Sequence, residues 1–507
     1  MVTTTLAIGA YRNRQPSLLA TSLWMVTLVG IVVVYRLLTL GSYPLSDNTE
    51  ARYAEIARLM LTGGDWITLH LPGDVVFWGK PPLSTWLSAL GQGVLGANEW
   101  GARVPVFFTA LLTSLLIWRW ANAFSRRVGM LCMALLWGSV LFFVSAGAVM
   151  TDMALTLAVT LAVSGYWWAI SETTLAGVRL GALALFTGLG LGLLAKGPVA
   201  VMLSLAPMAA HACSGRDAFR DALFLPWFRG ALVVTAIAVP WYVLAEMRSP
   251  GFLDYFLIGE HWKRFTQPGW AGDLYGTAHV QPRGLIWAFM LAGLLPWTFL
   301  LPWLLLGRRE ALGTAIAENS RGGKTAGENV LLIGWALAPA LLFTVSRNIL
   351  WTYVLPAVPA LALLLARWLS RDPRRSLVNG VITLGIVLLI GTSALLIGWR
   401  SQIGGFRSAA VVLMPLQQSG HHADEVSFLN TLPYSASFYS RGAATIVVKE
   451  DALQSWLDGD AVLGPDHRHE FLIASSKQWR VLPEPMRAKL SIVSESAGYV
   501  LLVRVGK

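Results

Sequence analysis

Residues 18–40 read LLATSLWMVTLVGIVVVYRLLTL, with a single charge, Arg36, near the far end. A helix needs about 20 apolar residues to cross the hydrocarbon core, and this run is long enough. It is too long for a signal-peptide core and lacks a small-residue cleavage site, so it reads as an uncleaved signal anchor. Arg12 and Arg14 then hold the N-terminus in the cytoplasm. Further apolar runs fall near 102–122, 128–148, 153–170, 178–195, 198–213, 229–247, 285–306, 329–345, 350–367 and 377–398. Starting inside, about eleven crossings leave the C-terminus outside.

Composition agrees with that pattern. Of 507 residues, 55% are hydrophobic and 13% charged, against about 25% charged in soluble domains. The net charge of +11 would suggest nucleic acid in a soluble protein. Here Arg126 and Arg127, Arg216 and Arg220, Arg308 and Arg309, and Arg371, Arg374 and Arg375 occupy alternate connections. That is the positive-inside pattern, so nucleic acid is not an expected partner. Cys132 and Cys213 lie in or at the ends of spans without CxxC spacing or a histidine cluster, so neither a disulfide framework nor a zinc site is expected.

Two outside connections stand out. Residues 42–101 are too polar to cross, and Tyr53, Ile56, Ala57, Met60 and Leu61 recur at helical spacing with Glu50, Arg52, Glu55 and Arg58 around the wheel. This predicts an amphipathic helix lying on the membrane surface. A second loop, about 248–284, is rich in aromatics, glycine and charge. After Gly398, Ala444–Val448, Glu470–Ile473 and Tyr499–Val503 read as strands between polar turns. The expected fold is an all-α polytopic membrane domain over 1–399 followed by a small α/β periplasmic domain over 400–507. No inverted repeat of the secondary-transporter kind is visible.

The ionisable residues of the outside connections are the candidate site. Asp47, three residues before Glu50, resembles a capping box at the helix start; equally, an acid at the membrane surface can act as a general base or orient an acceptor. Asp152, in Met150-Thr151-Asp152-Met153, either caps a span or shares a site with Asp47 on the same membrane face. Lys196, in Ala195-Lys196-Gly197-Pro198, lies outside against the positive-inside bias; it either snorkels or holds a phosphate beside an unwound Gly-Pro backbone. In Phe77-Trp78-Gly79-Lys80-Pro81-Pro82 a cation precedes a proline-started helix whose N–H groups suit an anion. His261 and Arg264 share a helix face at i, i+3, as phosphate ligands or as a surface anchor. Arg52, Tyr53, Arg347 and Tyr353 complete the outside set, Tyr353 being alternatively an interfacial anchor. Acids, cations and aromatics on one face suit a substrate with a phosphate head and an apolar tail. No histidine–acid pattern with metal spacing appears, although carboxylates at a phosphate site can recruit a divalent cation.

Thr49-Glu50-Ala51-Arg52-Tyr53-Ala54-Glu55-Ile56, Gly64-Asp65-Trp66, Phe77-Trp78-Gly79-Lys80-Pro81-Pro82-Leu83 and Asn98-Glu99-Trp100 with Arg103 resemble the aminoarabinose transferase family of GT-C glycosyltransferases, which stands alongside the protein O-mannosyltransferases. The resemblance continues through Asp152, Lys196-Gly197-Pro198, Tyr353-Val354-Leu355-Pro356, Leu432-Pro433-Tyr434-Ser435 and Phe438-Tyr439, and so spans nearly the whole chain. It implies a multi-spanning inner-membrane fold with a periplasmic site. It also implies a sugar, 4-amino-4-deoxy-L-arabinose or a related one, carried on undecaprenyl phosphate and transferred with inversion to a lipid acceptor such as lipid A. By analogy Asp47 or Glu50 takes the place of the first-loop acid, and Lys80 that of the donor-phosphate ligand. The chain departs from many relatives in having Thr49 before Glu50, where they carry adjacent acids, and Gly79 beside the lysine, where some carry an acid.

The expected function is therefore an inverting transferase that moves a sugar from a polyprenyl phosphate to a lipid acceptor, with no cofactor that the sequence requires. Cations at Lys80, Lys196 or Arg264 would stabilise the departing phosphate. The nearest alternative is a protein O-glycosyltransferase. A lipid-linked sugar flippase is the rival of a different class, and it calls for polar residues at the bilayer midplane and broken helices in paired halves.

Overall fold

The structure, a computed structural model, describes residues 18–47, 49–276, 280–300, 302, 324–399, 407–444, 447–449, 453–458, 471–496 and 498–505. Arg12, Arg14, Arg308, Arg309 and the domain boundary expected at residue 400 lie outside them.

Every apolar run of the sequence carries helix, but the runs are not equivalent. Among the described residues seven helices are long and apolar enough to cross a membrane: Glu99–Phe124, Thr151–Ser171, Leu175–Lys196, Trp227–Arg248, Ala326–Phe343, Trp351–Ser370 and Arg375–Gly398. Leu23–Leu38 and Pro198–Ala212 are shorter apolar helices. The two remaining runs are interrupted. One breaks between Arg126–Trp137 and Val140–Ser145, the other between Leu285–Gly293 and the 3₁₀ turn Trp297–Leu300. Irregular backbone at membrane depth is tolerated where protein satisfies it, and here the two breaks satisfy one another. Val140 N–H donates to the Leu295 carbonyl at 2.9 Å, and Trp297 Nε1 donates to that of Leu135 at 2.7 Å. Gly138 permits the approach, since a Cβ there would lie 2.3 Å from the Trp297 ring.

We label α1 (Leu18–Leu38), α2 (Glu50–Gly63), α3 (Leu83–Leu95) and α4 (Glu99–Phe124) in chain order. The predicted loop helix exists as α2 and ends at Gly64, whose φ of 73° allows its N–H to reach the Met60 carbonyl. Its environment differs from the expectation. Instead of resting on the membrane with its charges in water, α2 is enclosed: Glu50, Tyr53, Glu55, Ile56, Arg58 and Met60 are all buried. One side packs on α3, where Gln92 Nε2 donates to the Ala54 carbonyl. The charged side faces the short helix Tyr434–Tyr439, where Arg58 forms two 2.7 Å bonds to Glu55 and Ser437 Oγ donates to Glu55. The charges spread around the wheel therefore found protein partners rather than solvent.

The C-terminal part forms a five-stranded sheet in the order β4-β3-β5-β7-β6, with β3 Val426–Leu429, β4 Val447–Val448, β5 Phe471–Ser475, β6 Leu490–Ser496 and β7 Tyr499–Arg504; β1 His70–Leu71 and β2 Val75–Val76 make a separate hairpin in the first loop. β3 runs parallel to β4 and β5, whereas β7 is antiparallel to β5 and β6. Phe471 and Ile473 pack on one face of the sheet, and Leu472 and Ala474 on the other. Both faces are covered, so the central strands are continuous apolar runs. Three strands coincide with the sequence expectation. β3 was not anticipated, and β6, LSIVSES, is an edge strand whose polar face hides its pattern.

Candidate active site

Four segments converge on one cavity of about 360 Å³. Helix Leu175–Lys196 stops where Gly197 takes φ 75°, and the next helix restarts at Pro198, whose lack of an N–H is harmless there. A side chain at 197 would meet both the Phe256 ring at 2.7 Å and His261 Nε2 at 3.1 Å, so glycine is required by conformation and by space. A π-helix, Asp254–Lys263, passes over this corner and presents Leu257, Glu260 and His261. Such wide turns are uncommon and concentrate at functional sites. Lys80 enters from the loop before α3, and Phe343, Ser346, Asn348 and Tyr353 close the remaining wall.

The polar end of the cavity is a chain of opposed charges. Lys80 Nζ lies 3.1 Å from Glu260 Oε2, and Arg264 Nη1 donates to both oxygens of Glu260 at 2.9 Å. Arg264 Nη2 also lies 3.4 Å from Asp273. Burial acts to raise the Glu260 pKa, but the charges of Lys80 and Arg264 outweigh it and hold the carboxyl below its ordinary range. Burial likewise opposes the charge on Lys80, yet Glu260 keeps its pKa above the ordinary lysine value. Lys196 Nζ is 2.6 Å from Asp152 and sits 4.3 Å from the centre of the Tyr353 ring. His261 is driven towards neutrality chiefly by burial. Its Nδ1 lies 2.8 Å from the Phe256 carbonyl and its Nε2 3.2 Å from the Lys196 carbonyl, so each ring nitrogen faces an acceptor. Away from this end Pro198, Val199, Met202, Leu257, Phe265 and Leu342 line the space. An end of paired charges thus opens onto an apolar space.

Lys80, Lys196, His261, Arg264 and Tyr353 line the cavity, and Asp152 adjoins it through Lys196. Arg52, Tyr53 and Trp78, expected to bind substrate, are not among the residues that line it. Trp78 donates from N to the Tyr275 hydroxyl and from Nε1 to Ser249. Arg52 reaches the Tyr275 carbonyl at 3.1 Å and lies over the Tyr53 and Phe77 rings. Arg347 is exposed and contacts the Gln281 carbonyl, although its neighbours Ser346 and Asn348 line the cavity. Glu260 belongs to the polar end and was not singled out from sequence. Its i, i+4 relation to Arg264 was the available signal.

Asp47 and Glu50 line neither wall of this cavity. The capping-box expectation fails: Thr49 occupies the N-cap without a side-chain bond, and Asp47 turns away. Its carboxylate accepts from Ser435 N at 2.8 Å, Ser435 Oγ at 2.7 Å and the Tyr499 hydroxyl at 2.8 Å. Burial lifts the Asp47 carboxyl above its ordinary range despite these bonds. Glu50 is gripped by Arg103, with N–O distances of 2.7 and 2.8 Å, and accepts from Ser46 N and Val149 N. Asp152 is likewise no cap; Met150 holds that position and Asp152 faces Lys196. Among the described residues no group of three His, Cys, Asp or Glu side chains is placed to hold a metal ion.

Asp47 allows structure and chemistry to be separated. Asparagine keeps an acceptor for Ser435 N–H, and the Ser435 and Tyr499 hydroxyls can rotate to accept from its amide. Alanine loses all three bonds, each worth about 1.5–3 kcal/mol to a charged acceptor. Asp47→Ala is therefore expected to expose the C-terminal sheet to limited proteolysis, whereas Asp47→Asn keeps the wild-type cleavage pattern. A loss of activity in the asparagine variant with that pattern intact assigns the charge a chemical role; full activity assigns docking alone.

Residues 24–256 match the family model for dolichyl-phosphate-mannose-protein mannosyltransferase. The chain is 28% identical over 401 residues to the undecaprenyl phosphate-alpha-4-amino-4-deoxy-L-arabinose arabinosyl transferase of Edwardsiella ictaluri, covering 78% of this chain and 66% of that protein. It is 32% identical over 387 residues to the same-named enzyme of Pectobacterium carotovorum, covering 74% and 65%. The chain thus spans a little under two thirds of the length of these relatives. The crystal structure of ArnT from Cupriavidus metallidurans bound to undecaprenyl phosphate superposes with a TM-score of 0.75 at 20% identity, covering 96% of this chain and 99% of that one. Its apo form gives 0.74. The fold is shared along nearly the whole length.

Proposed function

We infer that this chain, a relative of the aminoarabinose transferases with their fold, is an inverting glycosyltransferase that takes a sugar from undecaprenyl phosphate and passes it to a lipid acceptor such as lipid A. The observation that carries the reading is the cavity itself: Lys80, Lys196 and Arg264 gather at one end and apolar side chains line the rest. That is the form of a phosphate joined to a prenyl chain. The names of the relatives supply the sugar, 4-amino-4-deoxy-L-arabinose or one close to it, and the carrier.

In this reading the acceptor oxygen attacks the anomeric carbon from the side opposite the phosphate. The bond from that carbon to the phosphate oxygen breaks, and the electron pair stays on the departing polyprenyl phosphate. Lys80 and Arg264 meet the charge as it develops, which is where fixed cations contribute most to rate. An acceptor phosphate is already nucleophilic and needs only to be oriented. An acceptor hydroxyl needs a base, and Asp152 is the carboxylate among the three candidates that is tied to the cavity. The donor carries its own leaving group, so the transfer calls for no redox or group-carrying cofactor, and a divalent cation at the phosphate is compatible with the neighbouring carboxylates. The proposed setting is the bacterial inner membrane, with the N-terminus cytoplasmic and the cavity and C-terminal sheet periplasmic.

The family-model match to a protein mannosyltransferase supports one further acceptor class, a protein hydroxyl. Purified protein in detergent, given a radiolabelled undecaprenyl-phosphate sugar with lipid A or with polypeptide, separates the readings. Label on lipid A is the expected result, label on polypeptide moves the acceptor class, and no turnover without a gradient favours a flippase.

A further inference from the structure

Lys80 and Arg264 come from different elements, yet both are directed at the same group. Glu260 accepts from Lys80 at 3.1 Å and from Arg264 at 2.9 Å, and its side chain is 4% exposed. A point within hydrogen-bond reach of both cations is where a shared phosphate oxygen would sit, and a carboxylate occupies it. Around the polar end three cations, Lys80, Lys196 and Arg264, face three acids, Glu260, Asp152 and Asp273. No net positive charge therefore awaits an incoming anion, and two anions cannot share the position without strong mutual repulsion in so buried a place.

We propose, on the donor-site reading above, that Glu260 is an internal anion that holds the phosphate position while the cavity is empty and must be displaced by the donor. Partners for the displaced state are already in place. Arg264 keeps Asp273 at 3.4 Å, and Glu260 keeps the Tyr255 hydroxyl at 3.4 Å. The displacement lowers apparent donor affinity, as any competing state does. It also favours turnover. The donor is a phosphodiester with one negative charge, and breaking the sugar–oxygen bond leaves a monoester that carries up to two near neutral pH. The carboxylate repels that product more strongly than the donor and takes back the two cations as it leaves. Glu260 is thus a positioning residue that sets donor affinity and product release.

The test is binding of undecaprenyl phosphate to full-length wild type, Glu260→Gln and Glu260→Asp in nanodiscs, read by equilibrium binding and by the thermal shift on adding lipid. Glu260→Gln is expected to bind on the order of tenfold more tightly, with a larger thermal shift than wild type. The donor KM should fall with it, and kcat should fall as product leaves more slowly. Glu260→Asp withdraws the carboxylate by one methylene and keeps its charge; it should tighten binding to a smaller degree, and it decides the matter if the glutamine variant does not fold. Weaker or unchanged binding in the variant that folds overturns the inference and makes Glu260 a scaffold that aims the two cations at the ligand. Wild type that binds no undecaprenyl phosphate overturns the donor-site reading and this inference together. Wild-type binding without tightening sinks this inference alone.

Discussion

Replacing Lys80 by alanine is expected to weaken donor binding by roughly 10- to 100-fold, since one charge-assisted hydrogen bond is worth about 1.5–3 kcal/mol. Turnover should fall as well, because the phosphate that is bound becomes the leaving group. The loop has anchors besides the lysine, whose Nζ also donates to the Gly79 carbonyl. Trp78 is fixed by Ser249 and Tyr275, and Pro82 begins α3 by accepting from Trp86 N at 2.8 Å. Glu260 keeps Arg264 when Lys80 is gone, so the loss falls on the ligand rather than on the fold. Arginine should restore part of the binding only, its planar fork being a poor substitute for a compact ammonium in this corner. Titration of the lipid donor against wild type, Lys80→Ala and Lys80→Gln is the measurement. Unchanged affinity and turnover in both variants would reduce Lys80 to a loop anchor.

The residues that define this site differ in how visible they are along the chain. Lys196 was legible because a cation beside Gly-Pro between two apolar runs, in a connection expected outside, runs against the positive-inside bias, and the helix does break there. Lys80 was legible from its aromatic and proline neighbours. What the sequence conceals is pairing: Lys80 with Glu260 across 180 residues, Lys196 with Asp152 across 44. Asp47 shows the failure most clearly. Three residues ahead of Glu50 it satisfies a local capping pattern, but the donors that claim its oxygens belong to Ser435 and Tyr499, 388 and 452 residues away. A local rule holds only while no tertiary partner offers more. The spans were legible for the opposite reason, since apolar length is a property of each segment by itself. Among the described residues seven of the eleven runs are helices long and apolar enough to cross, two are shorter helices and two are interrupted, with the bond from Val140 N–H to the Leu295 carbonyl joining the interrupted pair.

Glu50→Gln is expected to lower thermal stability sharply, and that result would remove Glu50 from the catalytic candidates. Arg103 is fully buried and gives Nε and Nη2 to the Glu50 carboxylate, while its remaining donors reach the carbonyls of Leu40, Tyr43 and Pro44. The Tyr43 ring lies 3.9 Å from the guanidinium. This knot ties the end of α1 to the starts of α2 and α4, and so fixes how the first loop leaves the membrane. Breaking such a pair by removing one partner's charge costs about 3–5 kcal/mol, because the other is left buried and uncompensated. Arg103→Met should be damaging for the same reason. The double variant should be less destabilised than the sum of the two single ones, as coupled neighbours are. Melting curves in detergent together with the transfer assay read both properties at once. A catalytic Glu50 gives the opposite pattern: transfer is lost in Glu50→Gln with the melting curve unmoved, and adding Arg103→Met recovers nothing.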